Sequence, residues 1–229
     1  MMDTVIFIPA RLGSKRLIHK PLTKLGGVPL VRRVAEACEK SGYPVVVLTD
    51  SKRVADCVKG FEVVIDSQHY HNGTERCASA SYFPMLEPYK YIINVQGDMP
   101  DVTTNMIETL AHGLRNDEWD VCTLYTKMTE EEQSNRNNVK MVHNQELAHW
   151  FARDITYGVR HLGVYGYSQP TLREYGNWDV SLYEEIESLE QLRWIENEVE
   201  IGVYETQFDG MEINTVGDVH SWHMRNKLV

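Results

Sequence analysis

The segment Ile8–Leu22, IPARLGSKRLIHKPL, gathers Arg11, Lys15, Arg16 and Lys20 in one short stretch behind an apolar run. Gly13 lets the backbone turn sharply and present free N–H groups, and Ser14 adds a hydroxyl. Several cations beside free amides make a cradle for a polyanion such as a nucleoside triphosphate. Composition alone favours a solvated basic loop. The stretch is neither a P-loop nor a dinucleotide fingerprint, since G-x-x-x-x-G-K-[ST] and G-x-G-x-x-G are both missing. A second feature is Gln96-Gly97-Asp98, just after the apolar run Tyr91–Val95. A carboxylate there suits a hard dication such as Mg2+, which takes one or two carboxylates together with phosphate oxygens. The competing reading of Asp98 is a cap for the next helix. His69 and His71, and His220 and His223, are spaced for a transition metal but lack a third partner, so they read as solvent-facing or loop histidines.

These groups need elements to hold them. Thr4–Pro9, Val45–Leu48, Glu62–Ile65 and Tyr91–Val95 are short β-rich apolar runs and read as buried strands. Between them, helices are predicted from Pro29 to the stop at Gly42, from the caps Asp50 and Ser51 to about Lys59, and from Gly73 to about Met85 with Thr74 as a cap. Alternating strands and helices with continuously apolar strands predict an α/β fold: a mostly parallel central sheet with helices on both faces. Ligands of such sheets bind at the carboxyl ends of the strands, so the loops Ala10–Lys20 and Gln96–Asp101 should meet at one crevice. Further along, Val121–Lys127, Val139–His143, His161–Tyr167 and Ile201–Tyr204 read as strands, Ser188–Asn197 and Val216–Arg225 as helices, and Thr129–Asn138 as a surface loop.

The chain has 229 residues, 42% of them hydrophobic, without an internal repeat or linker, which fits one domain over 1–229. Its net charge of −10 argues against a nucleic-acid partner, so a bound polyanion must rely on a local basic cluster. No apolar run approaches a membrane span, and the opening MMDTVIFIPA lacks a basic n-region. Cys38, Cys57, Cys77 and Cys122 are scattered, as reduced thiols of a cytosolic protein are.

The pattern P-A-R-x-x-S-x-R-L-x-x-K-P in Pro9–Pro21 resembles the N-terminal signature of the CMP-Kdo synthetases, the 3-deoxy-manno-octulosonate cytidylyltransferases. Further similar blocks follow in order: Gly73–Arg76, Asn94–Asp98 with Pro100, Asn137–Lys140, His161–Tyr167, Glu187–Arg193 and Ile213–Asp218. Together they cover nearly the whole chain. The resemblance implies a Rossmann-like nucleotidyltransferase with a nucleotide-binding half at about 1–118 and a mixed sugar-binding and dimerisation half at about 119–229. It implies transfer of CMP from CTP to a 3-deoxy-2-keto sugar acid, Kdo or a close analogue, with Mg2+, by a cytoplasmic homodimer serving lipopolysaccharide or surface polysaccharide synthesis.

By the same resemblance, Arg11, Arg16 and Lys20 hold the triphosphate, helped by Ser14 and the loop amides, and Pro9, Ala10, Gly13 and Gln96 also belong to the nucleotide site. Arg76 and the loop before it belong to the cytosine and ribose pocket. Gln96, His161, Tyr165, Ser181, Glu184, Glu187 and Gln191 surround the sugar acid, supplying the mixed donors and acceptors that its hydroxyls require. Glu184 and Glu187, three apart, share a helical face, which an acidic surface helix would also explain. Asp98 and position 214 hold the metal.

Four departures stand out. The family's second metal carboxylate is Asn214 here, a neutral oxygen donor, with Asp218 close enough in sequence to act through water. Asp218 also reads as a first-turn acidic residue of the closing helix. Ile18-His19 replaces the P-G before the loop lysine, Met99 replaces a glutamate, and Arg153–Val159 is shorter than its counterpart. These leave open the same chemistry on an amino-substituted or sialic-type acid, and a catalytically silent nucleotide binder.

Overall fold

The computed structural model describes residues 3–14, 16–117 and 119–227; Lys15 of the basic loop lies outside them. In chain order the elements are β1 (Thr4–Pro9), a 3-10 turn (Lys20–Leu22), β2 (Lys24–Leu25), β3 (Val28–Pro29), α1 (Leu30–Glu39), β4 (Val45–Thr49), α2 (Lys52–Cys57) and β5 (Glu62–Ile65). Then come α3 (Gly73–Ala80), β6 (Tyr91–Val95), α4 (Thr104–Asn116), β7 (Val121–Thr126), α5 (Glu130–Ser134), β8 (Lys140–His143) and β9 (Ala148–Ala152). The chain continues through β10 (Val159–Ser168), α6 (Gln169–Tyr175), α7 (Leu182–Glu187), α8 (Leu192–Glu196), β11 (Ile201–Glu205) and α9 (Val216–Arg225).

The main sheet runs β11-β7-β10-β6-β1-β4-β5, with β8 and β9 attached beyond β10. β1 pairs in parallel with β4 and β6, and β7 in parallel with β11. β10 is antiparallel to both neighbours, β6 and β7, so the seven-strand path is parallel but for one reversed strand. All of β1 is buried, and its alternate side chains feed two cores. Ile6 and Ile8 pack with α1 and α4, whereas Val5 and Phe7 pack with α3, Tyr167, Tyr175 and Trp194. That is why the strand reads as continuously apolar: helices cover both of its faces.

The helix boundaries depart from expectation for identifiable reasons. Asn72, not Thr74, caps α3: its Oδ1 accepts from the Glu75 N–H at 2.8 Å, while the Thr74 hydroxyl meets the Tyr167 hydroxyl at 3.0 Å. α3 stops at Ala80, short of Met85. Thr129–Asn138 is not wholly a loop, because Thr129 and Glu132 form a capping box that starts α5 on the surface. Ser188–Asn197 does not form one helix. Ser188 adopts a left-handed conformation at the end of α7, and only Leu192–Glu196 is helical. α4 and α6 are not among the helices bounded from sequence, although Thr103 and Ser168 cap them and Pro170 stands in the first turn of α6, and β9 lies inside an aromatic-rich stretch. The four cysteines are free, three of them buried and Cys57 half-buried. No helix among the described residues is long and apolar enough to cross a membrane.

Candidate active site

The loops after β1 and β6 meet at the carboxyl ends of their strands. They open onto a cleft of about 840 Å³ lined by Pro9, Ala10, Arg11, Gly13, Ser14, Arg16, Lys20, Arg76, Gln96 and Asp98. Close approach depends on glycine: a Cβ on Gly97 would stand 2.9 Å from the Pro9 carbonyl oxygen. Arg11 and Arg16 are exposed at the mouth, where a polyanion would meet them. Arg76 is buried over the Tyr70 ring, 4.8 Å from its centroid, and donates to the Asp66 carbonyl at 3.0 Å.

At the floor, Lys20 Nζ donates to Asp98 Oδ2 at 2.6 Å and to Asn214 Oδ1 at 3.1 Å. Arg16 Nη2 donates to the same Asn214 oxygen at 3.0 Å. The C-terminal segment is held there because the Ile213 N–H donates to the Asp98 carbonyl at 2.9 Å. Asp98 caps no helix: α4 starts at the Thr103 cap, whose hydroxyl accepts from the Met106 N–H. Asp218 is not available as a substitute ligand. Its Oδ2 accepts from the Asn214 and Thr215 N–H groups at 2.8 and 2.7 Å, in a capping box that starts α9.

A smaller pocket of about 250 Å³ adjoins the cleft and shares Arg16, Asn72, Gly73, Gln96, Asp98, Asn137 and Arg153 with it. His161, Tyr165 and Gln191 line it, together with Glu190, Glu212 and Asn214. The Tyr165 hydroxyl donates to Gln191 Oε1 at 3.4 Å. His161 is 4% exposed, with Nε2 3.0 Å from the Thr123 hydroxyl oxygen. That hydroxyl spends its one proton on the Val164 carbonyl at 2.8 Å, so His161 must donate through Nε2 and keep Nδ1 as an acceptor. Burial, helped by the charge of Arg153, lowers its pKa to about 3, so the ring is neutral.

Three residues expected at the sugar lie outside the pocket wall. Glu184 is buried and bound to Arg193, with Nε–Oε2 at 2.5 Å, and Arg193 also reaches Glu75 at 2.8 Å. This ion-paired knot ties α3 to α7 and α8. It reaches the cleft through Asn72, whose Nδ2 donates to Glu184 at 2.9 Å. The Ser181 hydroxyl is buried without a hydrogen-bond partner among the described residues, and Glu187 stands at the end of α7. A helical spacing of three puts Glu184 and Glu187 on one side but does not say what that side meets.

The wall contains residues that sequence reasoning passed over: Arg136, Arg153, Glu190 and Glu212. Lys140 is 1% exposed and donates to the Asn135 and Arg153 carbonyls at 2.8 Å each, which fixes both segments at the rim. Burial and the nearby charge of Arg16 lower the Arg153 pKa, against the pull of Glu212 and Glu187. Glu190 accepts from the Thr74 N–H at 3.1 Å, at the start of α3. Burial raises its carboxyl. Glu212 is raised too, by burial and by Asp98, with Arg160, Lys20 and Arg153 opposing.

A doubly covered sheet with a basic loop and a carboxylate at its strand ends is the arrangement of a nucleotidyltransferase. A sequence model of the family described as "Cytidylyltransferase" matches residues 5–201. The 3-deoxy-manno-octulosonate cytidylyltransferase of Photobacterium profundum is 34% identical, over 88% of this chain and 91% of its own. That of Rickettsia prowazekii is 33% identical, over 95% and 92%. Among solved structures, a CMP:2-keto-3-deoxy-manno-octonic acid synthetase complexed with CTP superposes with a TM-score of 0.90 at 30% identity, covering 99% of this chain and 100% of its own. A 4-diphosphocytidyl-2C-methyl-D-erythritol synthase from Anaerococcus prevotii, at 12% identity and a TM-score of 0.69, shares the fold alone. The chain belongs to the cytidylyltransferase family and is an enzyme of its 3-deoxy-manno-octulosonate cytidylyltransferase type.

Proposed function

We propose that this enzyme joins the CMP of CTP to the anomeric hydroxyl of a 3-deoxy-2-keto sugar acid, Kdo or a close analogue. The anomeric oxygen forms a bond to the α-phosphorus, the bond from that phosphorus to the bridging oxygen breaks, and pyrophosphate leaves while the hydroxyl proton passes to solvent. The observation that carries this reading is the Lys20–Asp98 contact, placed where the basic cleft joins the smaller polar pocket.

In that reading the triphosphate lies along Arg11, Arg16 and Lys20, and Arg76 and the Gly73 backbone lie toward the nucleoside. Arg153 at the pocket rim suits the sugar carboxylate. The Nδ1 of neutral His161 accepts from a sugar hydroxyl, and Tyr165, Gln191 and Glu190 supply further polar partners. Catalysis is by positioning and by neutralising phosphate charge, with no covalent enzyme intermediate. Mg2+ fits the donor chemistry, because Asp98 and the Asn214 oxygen offer hard ligands and Lys20 Nζ stands in for a cation between them. Among the described residues no group of three His, Cys, Asp or Glu side chains gathers, so substrate oxygens would complete the shell. When bound, the ion would polarise the phosphates and stabilise the charge that develops on them.

The enzyme acts in the cytosol as a homodimer in this reading. α7 exposes Leu182, Tyr183 and Ile186, and Trp150 stands edge-on to Tyr183 with ring centroids 5.2 Å apart. The aromatic stretch around β9 thus adjoins an apolar face suited to a second copy. A monomeric mass by light scattering at micromolar concentration would remove the dimer.

The test of the reaction is pyrophosphate release with CTP or UTP, Mg2+ and a panel of sugar acids that includes Kdo, an amino-substituted Kdo and a sialic-type acid. CTP with a Kdo-type acid should turn over, and UTP should be far poorer, because a site that pairs with the cytosine amino group is left unsatisfied by uracil. Equal use of CTP and UTP, or no turnover with any acid, refutes the reading.

A further inference from the structure

Glu212 has no part in the reaction described so far, yet it faces the same small cavity as Asp98 and Asn214. Asn214 offers an oxygen but no charge to a cation, and that oxygen accepts from Arg16 Nη2 at 3.0 Å and Lys20 Nζ at 3.1 Å. Its amide nitrogen points the other way, 3.5 Å from Glu212 Oε2. Among the described residues none of the cations around Glu212 forms an ion pair with it. Lys20 pairs with Asp98 at 2.6 Å, Arg160 with Glu132 at 3.2 Å, and Arg153 donates to the Arg136 and Asn137 carbonyls at 3.4 and 3.2 Å. Among the described residues Glu212 makes no salt bridge, and the Asn214 amide is its only hydrogen-bonding contact.

A half-buried carboxylate kept beside a second carboxylate, without an ion pair of its own, is costly unless a ligand compensates it. We propose that Glu212 supplies the second protein carboxylate of the cation subsite beside Asp98, in place of the charge that position 214 lacks. The proposal rests on the Mg2+-dependent reaction above. The Asn214 amide then has a positioning role. It holds Arg16 and Lys20 with its oxygen and steadies Glu212 with its nitrogen. The backbone tie from Ile213 to Asp98 keeps the two carboxylates on the same cavity wall.

The experiment reads Mn2+ binding by the loss of the free-ion electron paramagnetic resonance signal. It uses the full chain saturated with CTP and no sugar acid, for wild type, Glu212→Gln, Asn214→Asp and the double variant. Thermal melts of each establish that it is folded. Loss of one ligand charge should weaken Mn2+ by about tenfold or more in Glu212→Gln. The double variant should return to within about threefold of wild type, because a carboxylate at 214 replaces the one removed. Mn2+ affinity unchanged in Glu212→Gln overturns the proposal, as does a double variant no better than the single. Unchanged Mn2+ affinity with a raised KM for the sugar acid also overturns it and makes Glu212 a sugar contact. If wild type turned over no sugar acid, the proposed reaction would fail while the Mn2+ comparison stayed readable, so the two failures are distinguishable.

Discussion

His161 should make the protein sensitive to acid by an amount that its surroundings set. The ring is 4% exposed, its Nε2–H is committed to Thr123, and Phe151 packs edge-on at 5.0 Å between centroids. Burial and then Arg153 bring its pKa from an ordinary 6.5 to about 3. The unfolded chain therefore binds a proton that the folded chain refuses. The stability from the neutral ring is present above pH 6.5 and is lost as pH falls below it. Linkage between those two pKa values gives a loss of about 2 kcal/mol from pH 7 to pH 5. His161→Gln keeps a polar side chain but removes the titration. Urea unfolding of both proteins at pH 7 and pH 5 isolates the effect, since contributions from the carboxylates cancel in the difference. Wild type should lose about 2 kcal/mol more than the variant over that interval. Equal losses would mean that His161 titrates normally. Its assignment as a neutral acceptor for a sugar hydroxyl would then fail with the buried-ring argument.

Other perturbations separate scaffold from chemistry. Arg193→Met strands Glu184 and Glu75 without their cation, and chemical denaturation should show a loss of about 3–5 kcal/mol; a loss below about 1 kcal/mol would show the knot to be incidental. Gly97→Ala places a Cβ 2.9 Å from the Pro9 carbonyl oxygen, so it should displace Asp98 and lower kcat by about tenfold or more, while a wild-type kcat would show that the β6 loop tolerates movement. Arg16→Ala and Lys20→Ala should each lower kcat/KM for CTP by about a hundredfold with melting temperatures near wild type, and unchanged kinetics in both would remove the basic loop from triphosphate binding.

The basic end of the cleft was readable because local rules decide it. Buried parallel strands announce themselves as unbroken β-branched runs, and the loops that follow β1 and β6 must then share the carboxyl edge of the sheet. The smaller pocket follows no such rule. Its wall is assembled from reversed β10, the segment after β9 and the irregular stretch before α9, so Arg153 and Glu212 are far apart in sequence and carry no periodicity. Glu184 shows the opposite failure. Its position on a helix was legible, but the Arg193 that neutralises it in the core was not, and a carboxylate buried with a partner looks the same in sequence as one facing a ligand. Asn214 joins both cases. A single position suggested a site short of one charge, whereas electrostatic balance belongs to the cavity rather than to a position in the chain. The cavity that holds Asn214 holds Glu212 as well, so the charge missing at one position need not be missing from the site.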